Sequence, residues 1–485
     1  MEVFSNLNVL TSEEIDSIYG NAVRILSEIG FIVENKNLLE LFASHGAVVS
    51  FTEEKVKFPR KFIETFLSEI SPAYDEVEGL EVSCLLPYGR RREYSHGLEV
   101  TAGTYPQYYL TLEGEIVPHT QKTVSDMTRL ADSMENIDRL GVMGTPSDVP
   151  SALGPLYMRL IAWKYAQNKL SGCGEVRNLE LIPYVMEMGK IVSEAKNAPL
   201  KRYTFAEVEL TSPLRFSRVE SEIFVRFQEK GLLAGIGFMY SAGGSAPVTL
   251  AATVSLNLAE SLFINFLYRF CYGLKKTWFQ CNSSVLDMKN AMFPFGRPER
   301  GLIMLAMGQL ARHFQAGLWA SAVYPDAKSP GLEAGIQSAF NTIPAIMAGS
   351  AGIECFGLLS GAEINSPVQL VIDNEYAGAL KRFSRGFAVN EETLAFDLIK
   401  KVGPGGFFTG EEHTVAHYRK EHWQPKIFSR EGLNSWLKGN RKVEVDIARD
   451  ICEQTLKEYY PQGINENTEK ELLKVIDQAG KTLVK

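Results

Sequence analysis

Short apolar runs alternate with longer amphipathic stretches from residue 98 to about residue 385. Eight runs have the length and composition of buried strands: 98–103, 139–144, 169–174, 202–210, 232–240, 276–282, 318–324 and 352–358. The stretches between them carry apolar residues at helical spacing: 123–136, 154–167, 179–195, 215–230, 246–272, 299–315 and 331–347. Eight parallel strands joined by crossover helices favour an α/β fold that closes into a (β/α)8 TIM barrel. A doubly wound open sheet uses the same units and is the alternative.

The segment VQLVIDNEY, which follows the eighth run, is compatible with either a ninth strand or a last helix. Ser366 can cap a helix at this point, and Pro367 suits its first turn. We therefore predict that this segment is the helix that follows the eighth strand.

The two ends of the chain differ from this central pattern. Thr11 and Glu14 have the spacing of a capping box at the start of a first helix, and a β-rich stretch with glycine breaks precedes residue 98. Helical patterns return after Asn390. The predicted units are an N-terminal helical and β-rich cap, a barrel and a C-terminal helical lobe, over residues 1–96, 97–388 and 389–485.

Composition narrows the classes of function. The net charge of -8, without a long Lys/Arg run, argues against a nucleic-acid surface. Six scattered cysteines without a C-x-x-C pair give neither a disulfide framework nor a zinc ribbon. The N-terminus lacks a signal-peptide pattern, and polar residues interrupt the apolar stretch 246–274. We expect a cytoplasmic protein with no membrane span.

The loop after the fifth predicted strand lies at the carboxyl rim, where barrel enzymes keep their sites. Ser245 and Pro247 are predicted to begin the next helix, which places Gly243 and Gly244 in the loop. The spacing matches no phosphate-binding motif, because no lysine follows the glycines. Free N–H groups at the helix start are able to hold a carboxylate, and a simple tight turn is the alternative.

His413 and His417 are four residues apart and share one face if the segment is helical. A zinc protease helix carries a glutamate directly after the first histidine, but Thr414 occupies that position. Packing or a lid over the substrate is therefore favoured over a metal site.

Aromatic residues gather near the ends of predicted strands, where their ring faces are able to hold a quaternary ammonium ion. The candidate binding residues are Tyr105, Tyr240, Gln280, Tyr324 and Phe356. Each aromatic residue is also compatible with simple core packing. Carboxylates near the same rim include Glu207 and Asp326, which are the candidate catalytic residues.

Three segments, GGSAPVTLAATVSLNLAE, YPDAKSPGLEAGIQSA and GPGGFFTGEEHTVAHYR, follow an N-terminal ILSEIGF and ASHGAVVS pattern. In this combination the chain resembles the trimethylamine:corrinoid methyltransferase family over essentially its whole length. The resemblance implies a (β/α)8 barrel that moves a methyl group from a methylamine to the Co(I) corrinoid (cobalamin) of a small partner protein. It is also compatible with a homo-oligomer.

The trimethylamine enzymes of that family carry pyrrolysine, whereas all residues here are among the ordinary twenty. The chain therefore resembles the branch without pyrrolysine, whose substrates are quaternary amines such as glycine betaine, proline betaine, carnitine or γ-butyrobetaine. A quaternary ammonium leaves as a neutral amine and needs no proton. We expect no bound metal, and rings rather than close carboxylates around the nitrogen, because the positive charge fades as the bond breaks.

A betaine carboxylate needs a binding site of its own, and the candidates are the turn at Gly243 and Gly244, Arg297 and Arg215. Two other functions are also compatible with this sequence. One is a metal-dependent TIM-barrel hydrolase that uses His413, His417 and a rim carboxylate. The other is a non-catalytic betaine-binding barrel. Metal analysis separates the first from the methyltransferase, and a methyl-transfer assay separates the second.

Overall fold

The computed structural model describes residues 7–70 and 98–484 as a mixed α/β fold. Eight strands occupy the eight predicted runs, which confirms those predictions. In chain order, β1 to β8 are Glu99–Thr104, Arg139–Met143, Leu170–Ser171, Ala206–Glu209, Ala234–Gly237, Trp278–Cys281, Gly317–Ala320 and Gly352–Phe356.

A helix follows each strand, as the apolar periodicity predicts. In chain order, α1 to α8 are Gln121–Ser133, Gly154–Tyr165, Ile182–Ala195, Arg218–Gln228, Leu250–Tyr272, Pro298–His313, Leu332–Met347 and Pro367–Arg385. The last helix confirms the prediction for VQLVIDNEY: Ser366 accepts a hydrogen bond from the N–H of Gln369, and Pro367 occupies the first turn.

All strand pairings among β1 to β8 are parallel. β8 pairs with β1, β1 with β2, and β2 with β3. A bridge between Glu175 and Glu207 joins the segment after β3 to β4, and β4 pairs with β5. β6 pairs with β7, and a bridge between Leu318 and Ser350 connects β7 to the residues before β8. The short segments that follow β5 and β6, Ser241–Ala242 and Ser284–Val285, also pair in parallel. The strands thus follow chain order in space, and the last one lies beside the first.

The start of α5 differs from the prediction. Helix α5 begins at Leu250 rather than at Ser245, because residues 241–246 form a tight turn closed by their own backbone hydrogen bonds. By length and composition α5 could cross a membrane, but 83% of its most apolar window is buried inside the protein. It is packed as a core helix.

The N-terminal part packs against α5 and pairs with the short strand that precedes α4. The capping box at Thr11 and Glu14 forms as predicted, at the start of the helix Ser12–Arg24. The short strand Phe31–Val33 pairs antiparallel with Lys55–Lys57 and parallel with Arg215–Phe216, which precedes α4. The predicted β-rich stretch with Gly79, Gly89 and Gly97 lies outside the described residues.

The C-terminal part contains two kinds of helix. Helices Glu444–Glu458 and Glu466–Leu483 bury apolar side chains and pack against α8 and α3 respectively. The four helices before them bury no side chain in this chain: Glu391–Leu394, Phe396–Val402, Glu412–Glu421 and Leu433–Lys438.

Candidate active site

A cavity of about 300 Å³ lies between the eight strands. Each strand, or the residue that directly follows it, contributes to the lining. On two strands, lining side chains are separated by one residue: Glu207 and Glu209 on β4, and Trp278 and Gln280 on β6. Successive side chains on a strand point to opposite faces, so one face of each strand faces the cavity and the other packs against the helices.

Aromatic rings form much of the cavity wall. They belong to Tyr105, Phe205, Phe238, Trp278, Trp319 and Tyr324. Glycines on neighbouring strands leave space for the two indoles. A Cβ at Gly317 would lie 2.5 Å from the Trp278 ring, and a Cβ at Gly352 would lie 2.4 Å from the Trp319 ring. The indoles can therefore lie flat against the strands only because these two positions lack a side chain.

Glu207 lies at the centre of the polar part of the wall. Its carboxyl accepts a short hydrogen bond from the Tyr105 hydroxyl, and a Cβ at Gly174 would lie 2.4 Å from its side chain. Burial, together with the charge of Glu354, raises the pKa of Glu207 to about 7, although the hydrogen bond from Tyr105 opposes the shift. Glu207 therefore exchanges a proton close to neutral pH.

Two further glutamates line the same cavity. Burial raises the pKa of Glu209 to about 8, with contributions from the charges of Glu207, Glu220 and Glu354. The exposed surface of Glu209 faces the cavity. Burial also raises the pKa of Glu354, against hydrogen bonds from Ser321 and Trp319. The three carboxyls are close enough for the charge of one to affect the proton affinity of another.

The cavity contains two cysteines, but neither is an activated nucleophile. Burial raises the pKa of Cys281 to about 11 and the pKa of Cys355 well above its usual range. The Cys355 thiol donates to the Tyr324 hydroxyl, with 2.7 Å between Sγ and Oη. Since the thiolate is the reactive form, both side chains are inert at neutral pH.

Arg300 supports one side of the wall from behind. Its guanidinium donates to the Ser321 carbonyl and to Asn282 Oδ1, the latter at 3.1 Å. It also lies over the stacked rings of Phe295 and Tyr324, 5.1 and 5.5 Å from their centroids. A fully buried arginine thus fixes three lining residues, Asn282, Ser321 and Tyr324.

Four residues named from the sequence lie together in the wall: Tyr105, Glu207, Gln280 and Tyr324. Gln280 Nε2 donates to the Ile236 carbonyl at 2.6 Å, so its amide is held across two strands. The sequence reasoning missed Glu209, Glu354 and Trp319. The signal that could have found them was the two-residue period, since Glu209 lies two positions after Glu207 in a strand that the sequence predicts.

Two aromatic candidates do not line the cavity, which corrects the expectation for them. Tyr240 is fully buried, and its hydroxyl donates to the Leu256 carbonyl on α5 at 3.3 Å. Phe356 is also fully buried, at the end of β8. Tyr240 follows β5 and packs against α5. Phe356 lies two positions after the lining residue Glu354. However, a register shift between Ile353 and Phe356 and the positive φ of Cys355 interrupt the alternation of β8, so Phe356 belongs to the core.

The groups that the sequence suggested as carboxylate-binding sites already interact with other parts of the protein. The N–H groups of Gly243 and Gly244 donate to the carbonyls of Ala246 and Ser241, both at 2.8 Å. The turn therefore offers no free pair of N–H donors.

The two arginine candidates are engaged as well. Arg297 pairs with Asp287 at 2.9 Å, and Arg215 pairs with Glu34 beside the N-terminal strands. The carboxylate of Asp326 accepts the N–H groups of Phe295 and Gly296 at 2.9 and 2.8 Å, so it shapes the loop after β6 rather than lining the cavity.

His413 and His417 lie on the exposed helix Glu412–Glu421, with ring centroids 4.3 Å apart. His417 Nε2 is 3.3 Å from Glu392 Oε1, and His413 Nε2 is 3.3 Å from the Glu392 carbonyl. Neither lines the cavity. Within residues 7–70 and 98–484, no group of three or more His, Cys, Asp or Glu side chains is placed to hold a metal ion.

Comparisons with known proteins identify the family. The trimethylamine methyltransferase (MTTB) family model matches residues 1–483. Trimethylamine methyltransferase MttB of Desulfitobacterium hafniense (strain DSM 10664 / DCB-2) is 25% identical over 474 residues, which cover 96% of this chain and 93% of that protein. Glycine betaine methyltransferase of Desulfitobacterium hafniense (strain Y51) is 25% identical over 483 residues, with 99% and 98% covered. The crystal structure of the hydroxylamine MtmB complex covers 98% of this chain and 96% of its own, at 11% identity and a TM-score of 0.45. The chain belongs to the trimethylamine methyltransferase (MttB) family.

Proposed function

We propose that this protein transfers an N-methyl group from a quaternary ammonium compound to the Co(I) corrinoid of a partner protein. The observation that carries the proposal is the cavity wall, which combines aromatic rings with three carboxyls around a space of about 300 Å³. Ring faces and nearby negative charge are what a cation without N–H donors requires. We infer that β1 to β8 close into a (β/α)8 barrel, between a cap at 1–96 and a lobe at 389–485.

The protein's task in this reaction is to position the donor. A reduced corrinoid supplies the electron pair that accepts the methyl group. The carbon–nitrogen bond breaks with its electron pair on nitrogen, so the amine leaves neutral and needs no proton from the protein. The rings of Trp278, Trp319 and Tyr105 hold the ammonium group and exclude water, while one methyl group points towards the carboxyl ends of the strands.

The cavity residues are compatible with a methyl acceptor that is supplied by another molecule. The cysteines that line the cavity, Cys281 and Cys355, hold their protons at neutral pH, so the described cavity wall supplies no thiolate to receive the methyl group. The chain also contains only ordinary residues, and therefore no pyrrolysine. A methyl acceptor brought by a partner is the arrangement that these residues favour.

The test is a methyl-transfer assay with the purified full chain. The protein is mixed with reduced free cobalamin and a panel of quaternary ammonium compounds, and methyl-cobalt formation is followed by its absorption spectrum. Turnover with at least one compound is expected. A protein that binds these compounds and never methylates cobalamin, with or without added corrinoid protein, would be a binding barrel and not a transferase.

A further inference from the structure

The charges that face the cavity are unbalanced. Among the described lining residues, the acidic side chains are Glu207, Glu209 and Glu354, and the basic one is Arg139. Arg139 Nη1 lies 2.9 Å from Glu99 Oε1, and both side chains are almost fully buried. Because Glu99 compensates the charge of Arg139, the three glutamates determine the charge that a ligand meets.

Two more arginines lie behind the wall, but they present no donor to the cavity. Arg159 donates to the carbonyls of Pro155 and Glu175, and Arg300 to those of Ser283 and Ser321. The remaining nitrogens, Nε and Nη2 of Arg159 and Nε of Arg300, have almost no accessible surface. Their charges moderate the field of the glutamates, yet a ligand carboxylate cannot reach them.

Because the cavity is small, this excess of negative charge affects which ligands can bind. In glycine betaine, the carboxylate is one carbon away from the nitrogen. A donor whose nitrogen sits between the rings would therefore place its own carboxylate among three carboxyls, with no uncompensated cation in the wall. Like charges that meet in a buried site are strongly disfavoured. A donor of similar size with an uncharged substituent avoids this contact.

We propose that the cavity selects a quaternary ammonium whose other substituents carry no negative charge, and that it discriminates against short betaines. This inference rests on the proposed function, because it names the substrate class of the same site. Choline and glycine betaine are the informative pair of probes, since they share the trimethylammonium group and differ mainly in a hydroxyl against a carboxylate.

The experiment is isothermal titration of the full chain at pH 8 with choline, tetramethylammonium, glycine betaine and 3,3-dimethyl-1-butanol, the uncharged isostere of choline. We expect choline to bind at least about tenfold more tightly than glycine betaine, and the uncharged isostere to bind at least about tenfold more weakly than choline. Glu209→Gln should move the ratio of choline to betaine affinity towards 1. Glu229→Gln removes one charge from the exposed surface and should leave that ratio unchanged.

Glycine betaine binding as tightly as choline, or more tightly, would overturn the inference, and so would a failure of every probe to bind. The methyl-transfer assay keeps the two proposals apart. Turnover with betaine and not with choline refutes the selectivity and leaves the transferase intact. Selective binding of choline without any methyl transfer supports the selectivity and refutes the transferase.

Discussion

Binding of a quaternary ammonium ion to this protein is expected to tighten as the pH rises from 6 to 8. The ligand has no titratable proton, so any pH dependence belongs to the cavity. The pKa of Glu207 is raised to about 7, which leaves its carboxyl about one-tenth ionised at pH 6 and about nine-tenths ionised at pH 8. If the cation binds the ionised form, the apparent dissociation constant falls about tenfold over this range from Glu207 alone. Glu209, with a pKa raised to about 8, adds to the effect.

The assay is isothermal titration with tetramethylammonium across this pH range, in two buffers that differ in ionisation enthalpy. At pH 7 the cation should release about half a proton from Glu207, and more with the contribution of Glu209. Glu207→Gln keeps an acceptor for the Tyr105 hydroxyl and removes the titration of this one carboxyl, so it should weaken the pH dependence to the part that Glu209 contributes. An affinity that stays constant or falls as the pH rises in the unaltered protein would refute the reasoning.

Thermal unfolding gives an independent readout of the same carboxyls. Their pKa values are raised in the folded state above the ordinary value near 4.5, so between these values the folded protein binds more protons than the unfolded chain. Their contribution to stability is therefore complete below about pH 4.5 and is lost as the pH rises through 7 to 8. A saturating quaternary ammonium should raise the melting temperature more at pH 8 than at pH 6.

Three further predictions concern the surroundings of the cavity. Gly317→Ala should displace the Trp278 indole and raise KM for the donor about tenfold or more, with a shift in tryptophan fluorescence, because the added Cβ would meet the ring at 2.5 Å. Glu260→Ala should lower the free energy of unfolding by about 1–3 kcal/mol in denaturant titrations, since it leaves the partly buried Ser212 hydroxyl and Leu214 N–H without their acceptor. Replacing His413 and His417 together by alanine should change neither the metal content nor kcat with free cobalamin, since neither histidine lines the cavity.

Much of the fold could be predicted from the sequence because the local signals agree with the tertiary structure. The eight apolar runs became eight strands, and the helix after β8 begins where Ser366 and Pro367 indicated. The predicted start of α5 was wrong because Ser245 and Pro247 are residue types that commonly begin a helix. In the structure, Ser245 Oγ instead accepts the N–H of Ser241 at 3.0 Å within the tight turn.

The candidate site was less predictable because its geometry depends on contacts between strands. A position near the end of a predicted strand does not tell whether the side chain faces the cavity or the helices. For this reason, Tyr240 and Phe356 were wrongly expected to line the cavity. The positions of Glu209 and Trp319 depend on glycines of other strands, Gly237 and Gly352, which make room for them. Such pairs become visible only when the strand register is known, as in the pairing of Glu209 with Gly237.

The presence of three carboxyls modifies the expectation that rings rather than close carboxylates surround the nitrogen. A permanently charged carboxylate would stabilise the cationic donor more than the transition state, in which the charge on nitrogen fades, and would slow the reaction. The raised pKa values of Glu207 and Glu209 reduce this penalty. Under the proposed function, the carboxyls release protons to solvent and supply counter-charge when the cation binds, and they regain protons when the neutral amine forms. We expect the negative charge of the cavity to follow the charge of its ligand in this way, so that the neutral product loses the attraction that held the donor.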